Sequence, residues 1–273
     1  MNSIIPETPL VSVIMGVYNC ADTLAEAVNC IFNQSYTNWE LIICDDGSSD
    51  NTLSVAKELK ESSSQRIIIL QNTVNKGLNY TLNHCLKHAN GEYIARMDGD
   101  DLCSPNRFEI EINELSNNTD IDFVSTDMEF FDNDGVFGYI SHPTHPCEKD
   151  FVIENPFCHA PCMVRKSAYD DVNGYTEDKK LLRVEDYHLW IKMYAQNHRG
   201  MNIHQALYQM RDDRNAYNRR KLKYRFNNAR VKRIAIRTFE LPFWMNIYCL
   251  RPILTGLMPT ILYNMLHKKR LKK

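Results

Sequence analysis

The chain has 273 residues, enough to bury one substantial core or two closely joined ones. Its 44% hydrophobic and 24% charged residues exclude a disordered or fibrous chain. The net charge of −2 conceals a split: residues 211–273 hold 17 of the 32 Lys and Arg but only 3 of the 34 Asp and Glu. A basic end on an acidic body points to an anionic partner.

Residues 1–9 have neither a basic start nor a long apolar run, so no signal peptide is expected. Residues 10–18 read as a strand, apolar along almost its whole length and so covered on both faces. Asn19 to Asp22 turn the chain. Thr23 and Glu26 have the spacing of a capping box, and Leu24, Ala27, Val28, Ile31 and Phe32 make one helical face. A second strand at 39–44 ends in the polar turn 45–50, and a helix follows to about 62–64. A third strand covers 66–70, a loop 72–77 and a helix 78–89. A fourth strand opens at Tyr93 and runs at once into Asp98, Gly99, Asp100 and Asp101.

Strands alternating with helices of this length imply βαβ units and a mostly parallel sheet. Right-handed crossovers carry all four strand ends to one edge, where open sheets bind ligands. Tyr18 and Asn19, Asp45 and Asp46, Asn75 and Lys76, then Asp98 and Asp100 all fall on that edge. Two carboxylates spaced i, i+2 around a glycine can turn toward one hard divalent ion, Mg²⁺ or Mn²⁺. A solvated acidic turn is the alternative, and the company of the other three strand ends favours the ion.

Past Asp101, Ser104-Pro105 predicts a helix start. Residues 121–131 read as a strand, 132–135 as a hairpin turn, and 141–147 as a loop whose His142 and His145 are ordinary loop residues. Residues 184–190 open a helix with Leu189, Trp190 and Met193 on its apolar face. Glu185 and Asp186 sit in its first turn, where negative charge also favours the helix itself. The nine cysteines are odd in number and lack a C-x-x-C pair, which fits reduced thiols in a cytosolic protein. Cys158 and Cys162 lack the further ligands zinc would need.

This ordered set of motifs resembles the family 2 glycosyltransferases of the GT-A group, over roughly residues 10–211. The pieces are Val-Ser-Val-Ile-Met-Gly-Val-Tyr-Asn at 11–19, Ile-Cys-Asp-Asp-Gly-Ser-Ser-Asp-Asn-Thr at 43–52, Asn-Lys-Gly at 75–77, Met-Asp-Gly-Asp-Asp at 97–101 and Glu-Asp-Tyr-His-Leu-Trp at 185–190. The resemblance implies a Rossmann-like α/β fold, with residues 1–101 as a nucleotide-sugar half and 102–210 as an acceptor half. It implies that Tyr18 and Asn19 lie against the base and that Asp46 bonds the base or ribose. Lys76 and Arg96 would sit near the nucleotide. Asp98 and Asp100 look like the family's D-x-D motif, the first on the sugar or ribose and the second on the metal. Glu185-Asp186 matches the family's acidic pair, which makes Asp186 the catalytic base. Arg211 falls where the family often places an Arg on the diphosphate. Gly16 stands where the family commonly has Pro, a change expected to leave a more mobile loop. No Q-x-x-R-W sequence and no bundle of spans is present, so addition of a single sugar is expected rather than processive synthesis.

Residues 211–273 then read as a basic, amphipathic region. Residues 214–237 are rich in Arg and Lys, and apolar runs follow at 241–250 and 253–266. The terminal Lys268-Lys269-Arg270-Leu271-Lys272-Lys273 closes it. The runs are too short and broken for a membrane-spanning helix, and suit the plane of an anionic membrane. A helical subdomain packed on the body is the alternative. With the resemblance, this predicts a cytoplasmic enzyme peripheral to the inner membrane. It would take a nucleotide-sugar, a UDP-sugar first, and a lipid-linked saccharide as in bacterial O-antigen or capsule assembly. Three rivals fit less well. A nucleotidyltransferase needs a Gly-rich phosphate loop after the first strand, and a nicotinamide oxidoreductase needs G-x-G-x-x-G there. A nucleic-acid binder could use the basic end, but acidic strand ends repel phosphate, so no nucleic acid is expected.

Overall fold

A computed structural model describes residues 8–212 and 222–257. The first half is four parallel strands with helices between: β1 (Val11–Val17), α1 (Ala21–Phe32), β2 (Trp39–Asp45), α2 (Thr52–Glu61), β3 (Ile67–Gln71), α3 (Leu78–Leu86) and β4 (Tyr93–Arg96). All seven residues of β2 are buried, as the unbroken apolar run requires of a strand covered on both faces.

The second half continues the same sheet with mixed pairing. Its elements are β5 (Leu102–Cys103), α4 (Arg107–Asn117), β6 (Phe123–Asp132), β7 (Gly135–Ile140), α5 (Asp150–Ile153), β8 (Met163–Arg165), α6 (Lys166–Asp171), α7 (Glu185–Ala195) and β9 (Gly200–Arg211). The strand order is β3-β2-β1-β4-β8-β6-β9-β5, with β7 on β6. β8 runs antiparallel between β4 and β6, so β6 points the same way as β4. The strand ends of both halves therefore share one edge. One face packs Phe123 and Phe157 on Trp190 of α7, with Phe123 and Trp190 stacked at 4.6 Å.

Past the sheet lie α8 (Leu222–Thr238), a 3-10 segment (Phe243–Cys249) and α9 (Leu250–Leu257). Lys232 is buried, and its Nζ donates to the carbonyls of Val152 and Ile153 at 2.6 Å each. Asn227 donates to the carbonyl of Leu182 at 3.0 Å. So α8 packs on the body, as the alternative reading of the basic region anticipated. An apolar face nonetheless stays in solvent. Phe243, Trp244, Ile247, Leu250, Leu254 and Leu257 are each more than half exposed. No helix among the described residues is long and apolar enough to cross a membrane. Residues 213–221 and 258–273, with much of the basic pattern, lie outside the described residues.

Three local expectations are corrected. The helix after Asp101 starts at Arg107, with Pro105 in the preceding turn, where its carbonyl accepts from the Ser35 N–H at 2.7 Å. The capping box does not form: α1 opens at Ala21, three residues early, with no side-chain cap. Gly16 lies inside β1 rather than in a mobile loop, and a Cβ there would come within 3.1 Å of Thr81 Cγ2. The glycine lets α3 pack close to the strand.

Candidate active site

At the first two strand ends the chain is tied into a rigid rim. Asn19, in the left-handed region at φ 51°, accepts from the Ser49 N–H at 2.8 Å and donates its own N–H to Ser48 Oγ at 2.9 Å. Tyr18 beside it is half exposed. The buried Asp46 spends both oxygens inside the protein. Oδ1 accepts from Asn72 Nδ2 and the Lys76 N–H, and Oδ2 from the Gly77 N–H, all at 2.8 Å. It clasps the loop 72–77 and so sets Lys76 on the rim. Gly77 has φ +92°, a conformation that strains any residue with a Cβ.

The acidic loop after β4 is held from both sides. Gly99 fits because it has no side chain: a Cβ would lie 2.9 Å from Cys20 Sγ and from Val17 Cγ1. Thr23 Oγ1 donates to the Gly99 carbonyl at 2.9 Å. Glu26, the other half of the missing capping box, accepts from Arg211 Nη2 at 2.6 Å. Both residues grip the site instead of the helix end. Arg211 also donates from Nε to the Asp100 carbonyl at 2.9 Å, and its guanidinium lies 4.5 Å from the Phe131 ring centroid.

Tyr208 on β9 was not anticipated. Its hydroxyl accepts from the Asp98 N–H at 3.1 Å and donates to Asp101 Oδ2 at 3.0 Å, while Asp101 Oδ1 takes the Arg211 N–H at 2.7 Å. Burial, then the charges of Asp98 and Asp100, push Asp101 up to about 8. The donors on both of its oxygens, the Tyr208 hydroxyl and the Arg211 N–H, oppose that rise and make Asp101 a brace of the loop. Burial and the neighbouring Asp98 also raise Asp100. Asp98 Oδ1 lies 2.5 Å from Nη2 of the buried Arg96. Two carboxylates held together against this cost suit a divalent cation. Among the described residues no group of three His, Cys, Asp or Glu could hold a metal ion. A bound ion would therefore draw its other oxygens from a ligand, as Mg²⁺ and Mn²⁺ do on diphosphates.

Arg96 links this loop to the second half. Its side chain points to the face covered by α7, as Ile94 does two residues earlier. Asp186, at the start of α7, accepts from Asn155 Nδ2 at 2.6 Å. Burial raises the Asp186 carboxyl, and the Arg96 charge is among the effects that oppose the rise. Burial and then Asp186 raise Glu185, whose Oε2 has no hydrogen-bond partner among the described residues. His159 lies nearby and was also missed. One ring nitrogen sits 2.7 Å from the Tyr175 hydroxyl, and burial, then Arg96, keeps the ring neutral.

The model of the family described as "Glycosyl transferase family 2" matches residues 12–172. The chain belongs to glycosyl transferase family 2. It is 44% identical over 262 residues to EpsE of Bacillus subtilis (strain 168), whose name assigns it to the glycosyltransferases, covering 96% of this chain and 94% of that one. It is 32% identical over 188 residues to WfgD of Escherichia coli, covering 69% and 71%. That protein is named a UDP-Glc:alpha-D-GlcNAc-diphosphoundecaprenol beta-1,3-glucosyltransferase. Among solved structures, the mannosyltransferase PcManGT of Pyrobaculum calidifontis, in complex with GDP-Man and Mn²⁺, superposes with a TM-score of 0.69 at 19% identity, covering 98% of this chain and 74% of that one. TarS of S. aureus in complex with UDP gives 0.67 at 19%, covering 90% and 70%. These likenesses show the GT-A fold.

The chain is thus a glycosyltransferase with a mixed α/β GT-A fold. The family match ends at residue 172, before Asp186 and Arg211. The sequence-derived residues fall into two connected groups. Tyr18, Asn19, Asp46 and Lys76 build the rim. Arg96, Asp98, Asp100 and Arg211 share the acidic loop, and Asp186 with Glu185 approaches it through Arg96. Cys158 and Cys162 are buried free thiols. Nothing in sequence spacing marked Tyr208 or His159, because each reaches the site by strand and loop placement.

Proposed function

We propose that the chain transfers one sugar, with inversion, from a nucleoside diphosphate sugar, a UDP-sugar first, to a lipid-linked saccharide in surface polysaccharide synthesis. The observation that carries this is the acidic loop at the strand edge, held by Arg96, Tyr208 and Arg211, on the face of the sheet that the helix opening with the buried Asp186 covers. Residues 1–101 serve the donor, 102–210 the acceptor, and 211–273 the membrane. The UDP and GDP-Man complexes of the structural relatives support a donor of this class. The diphosphoundecaprenol in the name of WfgD supports the acceptor.

Tyr18 and Asn19 border the base, Asp46 shapes the rim beneath it, and Lys76 and Arg211 face the diphosphate. Asp98 and Asp100 would hold Mn²⁺ or Mg²⁺, which offsets the charge of the leaving diphosphate. Asp186 accepts the proton of the acceptor hydroxyl. The hydroxyl oxygen bonds to the anomeric carbon as the bond from that carbon to the diphosphate oxygen breaks, and the nucleoside diphosphate departs. Attack from the side opposite the leaving group inverts the anomeric carbon. Burial of Asp186 raises its basicity and so helps the proton transfer. Glu185 beside it keeps negative charge at the helix start.

The 3-10 segment and α9 expose an apolar face, and α9 and the neighbouring α8 carry the exposed Arg251, Arg233 and Arg237. This supports a peripheral seat on an anionic leaflet, on the cytoplasmic side where nucleotide-sugars are made. Calorimetric titration with UDP and GDP, with and without Mn²⁺, tests the donor site. Metal-dependent binding is expected, lost in Asp100→Ala and kept in Asp186→Asn, while Asp186→Asn loses transfer by about a thousandfold. Loss of binding and transfer together in Asp186→Asn would make that residue structural and overturn its role as base.

A further inference from the structure

One polar cluster near the sheet edge has no part in the chemistry above. Asp127 lies on β6, on the same face as Phe123 and Ser125 by strand alternation. Phe123 stacks on Trp190 of α7, and Ser125 Oγ donates to the Cys158 carbonyl at 2.8 Å. Asp127 therefore continues the face that carries Asp186. Register fixes its height as well. Met163 pairs with both Ala95 and Val124, so Asp127 and Asp98 each stand three residues beyond matched positions. Burial raises the Cys158 thiol, and the charges of Asp127 and then Asp186 add to the rise. Both carboxylates thus flank the same residue.

The ladder is distorted at this point. Thr126 pairs with Ile203, Asp127 with Ala206 and Met128 with Tyr208, so β9 takes five steps where β6 takes two. His204 and Gln205 leave the ladder, which is how a bulge re-aims a side chain. His204 Nδ1 comes to 3.5 Å from Asp127 Oδ2 and 3.2 Å from Ser141 Oγ, and its Nε2 to 2.8 Å from Thr144 Oγ1. The Tyr139 hydroxyl donates to Asp127 Oδ2. Asp127 is 2% exposed, yet its Oδ1 has no hydrogen-bond partner among the described residues. His204, Ser141 and Thr144 open to solvent.

A buried carboxylate oxygen left unpaired is costly, and a sheet ladder does not need one. The cluster does not suit a metal ion, because it offers one open carboxylate oxygen and both His204 ring nitrogens already face other side chains. It does not suit phosphate, which Asp127 repels. Adjacent hydroxyls on a neutral sugar ring match it, since they donate to a carboxylate and can exchange hydrogen bonds with the solvent-facing Ser141 and Thr144 hydroxyls that His204 orients. We propose that Asp127, His204 and Tyr139 form a subsite for a neutral sugar ring of the saccharide acceptor, on the Asp186 side of the site. This rests on the glycosyl-transfer reading above.

The test is saturation-transfer NMR on the whole chain, with and without UDP and Mn²⁺. The probes are the methyl glycosides of glucose, galactose, mannose, N-acetylglucosamine and N-acetylgalactosamine. At least one is expected to bind in the tens of millimolar or tighter, and Asp127→Asn and His204→Ala are each expected to weaken it about tenfold. Affinity for UDP and Mn²⁺ should stay within about twofold. Binding of a glycoside unchanged in both variants overturns the subsite, as does binding of none of the five in either condition. Failure of the wild-type chain to bind any nucleotide would instead count against the donor-site reading. If Asp127→Asn does not fold, the solvent-facing His204→Ala decides the matter.

Discussion

Among the described residues two arginines are buried next to carboxylates, and they differ in how much of each guanidinium is used. Arg107 is fully buried in α4. Its Nε pairs with Glu111 at 3.0 Å, Nη2 donates to the Cys162 carbonyl at 3.3 Å, and Nη1 lies against Met97 Sδ at 3.9 Å. The rings of Phe108 and Tyr208 are each within 5.5 Å of it. Arg96 is nearly as buried, but among the described residues its side chain has one hydrogen-bonding partner, Asp98, and its Nε has none. A saturated guanidinium fixes a structure. An unsaturated one beside two acidic groups leaves donors unspent, at a standing cost in stability.

Substitution should separate the two. Arg96→Met is expected to lower transfer by about a thousandfold in kcat/KM, with a small shift in the urea midpoint. Arg107→Met should do the reverse, costing about 3 kcal/mol in urea unfolding while the folded fraction keeps its activity within about threefold. Equal losses of stability in both variants would erase the distinction. Tyr208→Phe sits between them, because its ring packs on Arg107 while its hydroxyl braces Asp98 and Asp101. It should weaken Mn²⁺-dependent UDP binding by about tenfold and cost about 1 kcal/mol of stability, readable by calorimetry and urea unfolding on one sample. The last effect concerns pH. Burial lifts Glu111 from its ordinary value of 4.5 to about 7, against the pull of Arg107. Between those values the folded chain binds the proton more tightly than the unfolded one, so stability falls as pH rises from about 4.5 to about 7. Glu111→Gln should remove a slope on the order of 3 kcal/mol across that window, measured by urea unfolding at its two ends.

Much of the first half was legible because its information is local. Apolar runs at 11–17 and 39–45 and polar strand ends repeat within single βαβ units, and all four strands formed within a residue or two of expectation, apart from the end of the fourth. That strand stops at Arg96, and the acids beyond it form a loop. What sequence could not give depends on which distant element arrives. Thr23 and Glu26 have the spacing of a cap, but Gly99 and Arg211 reach them from 76 and 185 residues away. Asp46 stands where the family resemblance puts a nucleotide contact, yet its oxygens are engaged by the loop 72–77. Tyr208 and His204 owe their positions to the register of β9, and no pattern within β9 announces a bulge.

The unbroken sheet has a mechanical consequence. Backbone ladders stitch β4 to β8 and β8 to β6, so the two halves of the molecule share one plate with no seam between them. A clamshell motion would have to tear paired strands apart. Whatever accommodates two substrates must therefore happen in the loops along one rim, and the distance from the acidic loop to the start of α7 is set when the chain folds.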